Sequence, residues 1–500
     1  MKTKRHLLKT SLLKTSLIVT LLTAAIVFHA IFSNHHSAHA QHDHYDQLPD
    51  LGSQAANFLS DREAEKLGKA FIRQSRYQQP YVYDPELVDY INRLGNKLLA
   101  VSEDADKTYK FYLIDNNVIN AFAVPGGHIA LHTAILTKSE SESELASVIA
   151  HEIAHVTQRH IARKLENSRY DSWLALGALL AAAAAGGGDA AQAAFGVANA
   201  SIIDRQLSYS RAFESEADSL GIRFLSRAGF APEAMPRFFK RLLDESRINE
   251  SSAPEFLRSH PLTINRIAES ADRVRAYPPS KPRDESEFQL MQAKAIAAYA
   301  KNKEVAVNYF KDKLNQGDDK LATRYGYALA LSENREYEKA RKELNKLVAE
   351  FPDNVSVALI QADNELEANN ITEGLAILQK LYEKQTALGN HTVDIYYANA
   401  LVLTEQYDTA IPIIRSALAN NIDEPYLHIL LSRAYGEKGG HEMESFMSRG
   451  EFHYLRGNYE FSLKQFKRAR KLAKTDYYKA RIEARIFDVD QELQELKNLR

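Results

Sequence analysis

The stretch LASVIAHEIAHVTQRH, residues 145–160, decides the fold of the N-terminal half of the chain. Its apolar residues recur at the spacing of a helix face. Just upstream, Ser141 is followed three residues later by Glu144, the pattern of a capping box at a helix N-terminus. A helix is therefore predicted over 139–167.

The same helix carries an HExxH motif formed by His151, Glu152 and His155. Residues four apart lie on one face of a helix, so both imidazoles can reach a single ion. Glu152 then lies close enough to act as the general base for an attacking water. The motif predicts a metal-dependent hydrolase with one zinc ion per chain, although manganese or cobalt would suit the same ligand types.

The composition narrows the classes of site that the chain can build. Cysteine is absent, which excludes disulfide frameworks, thiolate zinc sites and cysteine nucleophiles, so metal ligands must come from carboxylates and the 17 His. With 63 basic and 65 acidic residues the net charge is −2, and no nucleic-acid partner is expected. The hydrophobic fraction of 45% is typical of folded globular proteins.

A third metal ligand is needed, because catalytic zinc sites use three protein ligands and keep one position open. The sequence FESEAD offers Glu214 as the third ligand and Asp218, on the same helix face, as a residue that orients a ligand histidine. Glu216 remains an alternative ligand. The competing interpretation is a surface helix whose acids pair with Arg211 and Arg223.

The N-terminus has the pattern of a secretory signal peptide. Five basic residues within 1–15 precede an apolar stretch at 16–32, and Ala38 and Ala40 frame a small-residue cleavage site. Residues 1–40 are therefore predicted to be removed, with an uncleaved membrane anchor as the alternative. Both interpretations place the remaining chain outside the cytoplasm.

The segment 41–280 is predicted to form a metallopeptidase domain that is mostly helical with a small sheet. Strands are predicted at 109–114 and 128–132 from their aromatic and branched residues, with a turn at 125–127. The Ala-rich stretch 173–203 is expected to form two short helices, either as a buried pair or as a lid. The proline-rich stretch at 277–282 marks the domain boundary.

Residues 286–500 are predicted to form an α-solenoid of tetratricopeptide repeats. Ala306, Ala340, Gly374 and Ala410 occupy similar local contexts and are spaced by 34, 34 and 36 residues, the length of that repeat. Four to six helix pairs are expected, with an interruption at 436–440. Stacked helix pairs usually bind peptides or proteins, and a plain helical bundle is the alternative.

HEIAH followed by FESEAD resembles the zinc endopeptidase family of the CAAX prenyl protease and HtpX. The signal peptide and the repeats are similar to one group of that family, the periplasmic beta-barrel assembly-enhancing proteases of Gram-negative bacteria. The strings NAFAVPGG at 120–127, HEIAHVTQRH at 151–160 and SHPLT at 259–263 agree with that group. The resemblance implies a mostly α, zincin-like domain followed by the repeat array.

The resemblance also implies roles for individual residues. His151, His155 and Glu214 would be the zinc ligands, and Glu152 the catalytic base. His260, followed by a proline, is a candidate active-site residue that either donates to the oxyanion or occupies the open zinc position and keeps the enzyme latent. An ordinary structural role is its alternative, and such a role is expected of His128, His132 and His160.

The function predicted from these patterns is a zinc endopeptidase of the periplasm, with the periplasmic face of the outer membrane as one location, that assists the assembly of outer-membrane proteins and degrades misfolded ones. Its repeats would contact the barrel-assembly machinery, and peripheral membrane contact is left open. An extended substrate is expected to pair with the strand edge at 128–132. The alternatives are a chaperone or assembly factor whose peptidase is latent, and a zinc-stabilised scaffold without catalysis.

Overall fold

The computed structural model describes residues 59–167, 209–248, 256–385 and 391–498. The predicted signal peptide and the Ala-rich stretch at 173–203 lie outside the described residues. All of the described residues belong to one compact unit. No helix in the described part of the chain has both the length and the apolarity that a membrane crossing requires.

The N-terminal half places nine helices around a three-stranded sheet within its described residues. The strands are β1 (Lys110–Ile114), β2 (Ala121–Val124) and β3 (His128–His132). The helices are α1 (Asp61–Gln78), α2 (Pro85–Leu99), α3 (Thr133–Lys138), α4 (Glu142–Thr157), α5 (His160–Asn167), α6 (Arg211–Arg227), α7 (Ala234–Ile248), α8 (Phe256–Ser259) and α9 (Ile264–Val274).

The sheet has the order β1-β3-β2, with β3 parallel to β1 and antiparallel to β2. The tight β2–β3 connection uses Gly126 and Gly127 at φ of 83° and 76°, a region that favours glycine. Because β3 is paired on both sides, the prediction that a substrate adds to the edge at 128–132 is wrong. The strand at 121–124 was not predicted, since four residues before a turn give a weak alternation signal.

Helix α4 is the central helix of this half, and its residues from Glu142 to His155 are all buried. Ser141 caps it as predicted, accepting a hydrogen bond from the Glu144 backbone N–H at 3.3 Å. The predicted single helix over 139–167 is instead two helices, because Arg159 adopts a left-handed φ of 52° and turns the chain between α4 and α5.

The C-terminal half consists of twelve helices within its described residues, each in contact with the next. They are α10 (Ser286–Ala298), α11 (Lys303–Asn315), α12 (Leu321–Glu333), α13 (Tyr337–Glu350), α14 (Val355–Glu367), α15 (Ile371–Gln385), α16 (His391–Leu403), α17 (Tyr407–Asn420), α18 (Pro425–Lys438), α19 (Glu442–Leu455), α20 (Tyr459–Leu472) and α21 (Asp476–Asn498). The prediction of a mostly helical protein, with a small sheet followed by a helical repeat array, is confirmed.

The small residues that define the repeat period are buried at helix contacts: Ala306, Ala340, Gly374 and Ala410. At Gly374 a Cβ atom would lie 2.7 Å from Leu366, so the approach of α15 to α14 requires glycine there. At the predicted interruption, Gly439 and Gly440 adopt positive φ and end α18.

The two halves share apolar surface and ion pairs. One core cluster continues from Val82 in the first half to Ile360 in the repeats. Lys294 of α10 is 3% exposed and lies 2.9 Å from Asp84 and beside Glu86, at the start of α2. The boundary at 280 stays a prediction, because these contacts run across it.

Candidate metal centre

Helix α4 holds His151, Glu152 and His155 in the interior. Their exposures are 0%, 0% and 2%, because every residue of the helix as far as His155 is covered by the sheet or by neighbouring helices. The two histidine rings lie 4.6 Å apart, and their Nε2 atoms are separated by 3.0 Å. The helical spacing therefore brings both imidazoles to one point, as the sequence predicts.

Helix α6 brings Glu214 to the same point from the other side. Its Oε2 lies 3.6 Å from His151 Nε2, and its Oε1 lies 3.4 Å from His155 Nε2. Ser210 caps α6, so Glu214 falls in the first turn and reaches inward, with 0% exposure. The residue predicted as the third ligand thus lies within reach of both histidines.

His260 is the fourth member of the cluster. Its Nδ1 lies 3.0 Å from Glu214 Oε1 and 3.2 Å from His151 Nε2. One ligand atom from each of these three residues and from His155 fits within 4.8 Å. The ring of His260 stacks on Phe256, with centroids 4.5 Å apart, which fixes it against the cluster.

Asp218 lies one turn beyond Glu214 on α6 and contacts the opposite side of the His151 ring. Its Oδ1 is 3.0 Å from His151 Nδ1. Arg266 of α9 donates two hydrogen bonds to the Asp218 carboxylate, from Nε at 2.6 Å and from Nη2 at 2.8 Å. Arg266 also pairs with Glu214. This clamp fixes the direction in which His151 presents its Nε2 atom.

His155 is oriented by a second chain of contacts. Its Nδ1 lies 2.9 Å from Nδ1 of the buried His160, and His160 Nε2 lies 3.1 Å from Glu216 Oε2. Arg163 pairs with the same Glu216 carboxylate at 2.9 Å. Glu216 is thus turned away from the cluster, behind two histidines, which argues against it as a direct ligand.

The charges of the cluster favour a cation. Burial alone would raise the pKa of Glu214, but His260, His151 and His155 hold that pKa well below its usual range. Burial opposes protonation of His151, yet Asp218 and Glu214 raise its pKa to about 9. The pKa of His155 is instead well below its usual range, because burial outweighs its contact with Glu214. The cluster thus holds an ionised carboxylate beside the neutral imidazole of His155, and it holds on His151 a proton that a divalent metal would displace on binding.

Glu152 differs from the other carboxylates. Both of its oxygens are buried without a well-formed hydrogen bond among the described residues; the Ala123 backbone N–H and His260 Nε2, the latter at 3.4 Å, are the donors that approach the carboxylate. Burial raises the pKa of Glu152, against the opposing effect of His260 and His151. Buried polar atoms without partners are rare, so these oxygens fit a group that arrives from outside the chain.

A cavity of about 520 Å³ borders the cluster at His155. Tyr209, whose ring stacks on His155 with centroids 4.0 Å apart, also lines it. The rest of its lining includes residues of the β2–β3 turn and of α1, together with Asp423 from the connection between α17 and α18 of the repeat array. The repeats therefore contribute to the wall of the cavity.

Comparison with known proteins identifies the family. The model of peptidase family M48 matches residues 85–274, which include the whole cluster. A relative from Vibrio cholerae is 37% identical over 446 residues, covering 88% of this chain and 91% of the relative. The beta-barrel assembly-enhancing protease of Escherichia coli K12 is 33% identical over 460 residues, covering 91% of this chain and 93% of the relative.

This chain belongs to the beta-barrel assembly-enhancing proteases of peptidase family M48. A more distant relative, the mitochondrial metalloendopeptidase OMA1 of Schizosaccharomyces pombe, is 32% identical and covers 36% of this chain and 50% of the relative. The match is consistent with the cluster just described, since members of this family are metallopeptidases that use a metal ion. The predicted class of enzyme is therefore confirmed.

The structure brings together all six residues that the sequence singled out for the site: His151, Glu152, His155, Glu214, Asp218 and His260. It also adds Arg266 and His160, which the sequence analysis missed or assigned a plain structural role. Arg266 follows the SHPLT string by three residues, and His160 ends HEIAHVTQRH, so proximity to those strings was the available signal. Arg223, a candidate partner for the acids of FESEAD, pairs with Glu103.

Proposed function

We propose that the chain is a zinc-dependent endopeptidase of the periplasm that assists the assembly of outer-membrane proteins and degrades misfolded ones. The observation that carries the proposal is the convergence of His151, His155 and Glu214 in a buried cluster that opens onto a cavity. Two imidazoles and one carboxylate are the ligand set of catalytic zinc sites in metalloproteases. Manganese and cobalt are the ions to compare with zinc.

The chemistry follows from the groups around the cluster. His151, His155 and Glu214 would hold a divalent metal, which would supply Lewis acidity for the attack of water on a peptide carbonyl. Glu152 takes the proton of the attacking water and passes it to the leaving amine nitrogen. Its raised pKa suits this exchange, because a more basic carboxylate accepts the proton of water more readily.

The outer edge of β2 is suited to bind an extended substrate. The His132 N–H donates to the Asn120 carbonyl at 2.9 Å, so Asn120 forms a hydrogen-bonded pair with β3. Such pairs alternate along antiparallel strands, so the backbone groups of Ala121 and Ala123 point away from β3. Ala123 lines the cavity that also includes His155, so strand addition along this side of β2 would align a scissile bond there.

The cellular role rests on the relatives and on the N-terminal pattern. The Escherichia coli relative is a beta-barrel assembly-enhancing protease, which supports outer-membrane proteins as substrates. The predicted signal peptide at residues 1–40 supports export to the periplasm. The repeat array supplies helix pairs of the kind that bind proteins, and contacts with the barrel-assembly machinery are assigned to it.

A second candidate function is an assembly factor whose peptidase is latent. His260 favours it, because its Nδ1 lies as close to Glu214 and His151 as the other ligand atoms lie to one another. Held there, His260 would fill the position that substrate and water need. A residue that donates to the oxyanion would instead lie farther from the ligand atoms. Occupation of the open metal position, called the plug below, is therefore the better supported of the two roles considered for His260.

The test compares the purified protein with its Glu152→Gln variant. Metal analysis is expected to find one zinc per chain in both proteins, and digestion of casein is expected only with the native residue. A Glu373→Gln variant, altered at an exposed site in the repeats, controls for the loss of one acid and should retain activity. Absence of zinc from the native protein would overturn the proposal.

Assembly of a barrel substrate separates the two candidate functions. If Glu152→Gln protein still promotes assembly, the repeats and the cavity act without proteolysis and the second candidate stands. If assembly fails together with casein digestion, the first stands. A scaffold without catalysis predicts a third result: chelation unfolds the N-terminal half, and no digestion is detected under any condition.

A further inference from the structure

A groove of about 530 Å³ lies between the last two helices, α20 and α21, far along the chain from the metal centre. Four basic residues of α20 line it at i, i+3, i+4 and i+7, so they form one stripe along the helix: Lys464, Lys467, Arg468 and Lys471. All four are exposed. The whole chain has a net charge of −2, so this stripe is a local concentration of charge.

The stripe is not neutralised by the surrounding helices. Among the described residues, none of these four side chains has a carboxylate oxygen within ion-pair distance, whereas the neighbouring Arg470 pairs with Glu483 at 2.6 Å. Arg468 instead rests over the ring of Phe446, 5.7 Å from its centroid. Four like charges along two helical turns repel one another, which disfavours the bare surface and favours an anionic partner.

The lining of the groove also includes two leucines, Leu463 and Leu493, and two acids, Glu460 and Asp490. The two acids would repel a uniformly anionic surface such as a membrane. A narrow chain can place its carboxylates on the lysines and an apolar side chain on Leu493, so the lining favours a strand-like ligand.

The spacing indicates how the ligand is arranged. The stripe from Lys464 to Lys471 spans about 10 Å, since a helix rises about 1.5 Å per residue. An extended peptide places every second side chain on one face, about 7 Å apart. Two carboxylates at alternate positions therefore match Lys467 and Lys471, which lie four residues or about 6 Å apart along the helix, and the residue between them points to the opposite face of the peptide, toward the α21 side of the groove.

We propose that the groove between α20 and α21 binds an extended acidic segment of a partner protein, in which acidic and apolar residues alternate. The ion pairs with the lysines would set the association rate and register, and burial of the apolar side chains on Leu463 and Leu493 would set the affinity. This site is separate from the metal centre and does not depend on peptidase activity.

The test uses the full chain and a fluorescein-labelled octapeptide of alternating aspartate and leucine, measured by fluorescence anisotropy. Reversal of two charges by Lys467→Glu and Lys471→Glu is expected to weaken binding at least about tenfold, because two attractions become repulsions. A matched control, Lys342→Glu with Lys380→Glu on α13 and α15, changes the total charge equally at two other exposed lysines. It is expected to leave the affinity within about twofold.

Further binding measurements distinguish this proposal from an effect of net charge and from binding to a membrane. An octapeptide of lysine and leucine should not bind, and the Glu152→Gln protein should bind the acidic peptide as tightly as the native chain does. Equal weakening in the two double variants would overturn the proposal, because the effect would then be one of net charge. The proposal would also be overturned if the native chain failed to bind the acidic peptide but bound phosphatidylglycerol vesicles, and if the Lys467→Glu, Lys471→Glu variant lost the vesicle binding. The groove would then be assigned to a membrane surface.

Discussion

Oδ1 of Asp218 lies 3.0 Å from Nδ1 of His151, on the side of the ring opposite to the atom that faces Glu214. Arg266 donates two hydrogen bonds to the same carboxylate. Burial alone would raise the pKa of Asp218, but Arg266 holds that pKa below its usual range. Asp218 therefore stays ionised and orients the imidazole rather than binding the metal itself.

Asp218→Asn should weaken metal binding by about 10- to 100-fold, the usual effect of losing a carboxylate that orients a ligand histidine. The amide keeps the size of the side chain but loses its charge. Competition with a chromophoric chelator measures the affinity. Asp272→Asn, on the exposed side of α9, serves as the control, and an unchanged affinity in Asp218→Asn would contradict the assigned role.

His260→Ala should raise the digestion of casein several-fold if His260 occupies the position that water and substrate need. The zinc content should stay near one per chain, because His151, His155 and Glu214 remain. His260→Leu, which better fills the space beside Phe256, distinguishes loss of the imidazole from loosened structure. Unchanged activity with unchanged zinc would contradict the plug, and a loss of activity in both variants would favour an oxyanion donor.

Lys294→Met should destabilise the protein by about 3–5 kcal/mol, because it leaves buried carboxylates without their cation. Burial opposes the charge on Lys294, yet Asp84 and Glu86 hold its pKa well above the usual range. The shift of the thermal unfolding midpoint measures the effect. Adding Asp84→Asn and Glu86→Gln to the Lys294→Met variant should recover most of the lost stability. If the unfolding midpoint does not recover, the unpaired charges are not the cause of the destabilisation.

His128 should make the protein less stable in acid. Burial, together with Lys110 and Lys69, lowers the pKa of His128 from 6.5 to about 4. Between these values the unfolded chain takes up a proton that the folded chain does not, so stability falls as the pH drops from 6.5 to 4. The difference in unfolding free energy amounts to about 3 kcal/mol.

His128→Gln should remove this part of the pH dependence. Urea unfolding at pH 7 and pH 5, with chelator present so that metal does not contribute, measures the difference for each protein. His391→Gln, at an exposed histidine of α16, should behave as the native chain does. Parallel pH profiles for native and His128→Gln protein would contradict the prediction.

The sequence predicted correctly those features that depend on the spacing of residues within one segment. The HExxH spacing fixes the relation of His151 to His155 on any helix, and the repeat period follows from Ala306, Ala340 and Gly374. Contacts between distant segments could not be predicted in this way. The ion pair between Arg266 and Asp218 joins α9 to α6, and the local sequence of neither helix indicates which distant residue it contacts.

Local backbone conformation was the second limit. Periodicity continues through Gln158 and Arg159, but the left-handed φ at Arg159 ends α4 and lets His160 turn back onto His155. The order of the strands was also not predictable, because the sequence of β3 does not show whether one or two neighbours pair with it. The placement of the substrate edge was therefore wrong.

The continuous apolar cluster between Val82 and Ile360 limits how the protein can be dissected. A fragment that ended at residue 280 would lack Phe288 and Met291, which are almost fully covered in the whole chain, and would expose the surfaces that they cover. Such a fragment should aggregate when it is produced alone. A soluble catalytic piece should instead extend through α14 to Glu367, so that the first repeats remain attached.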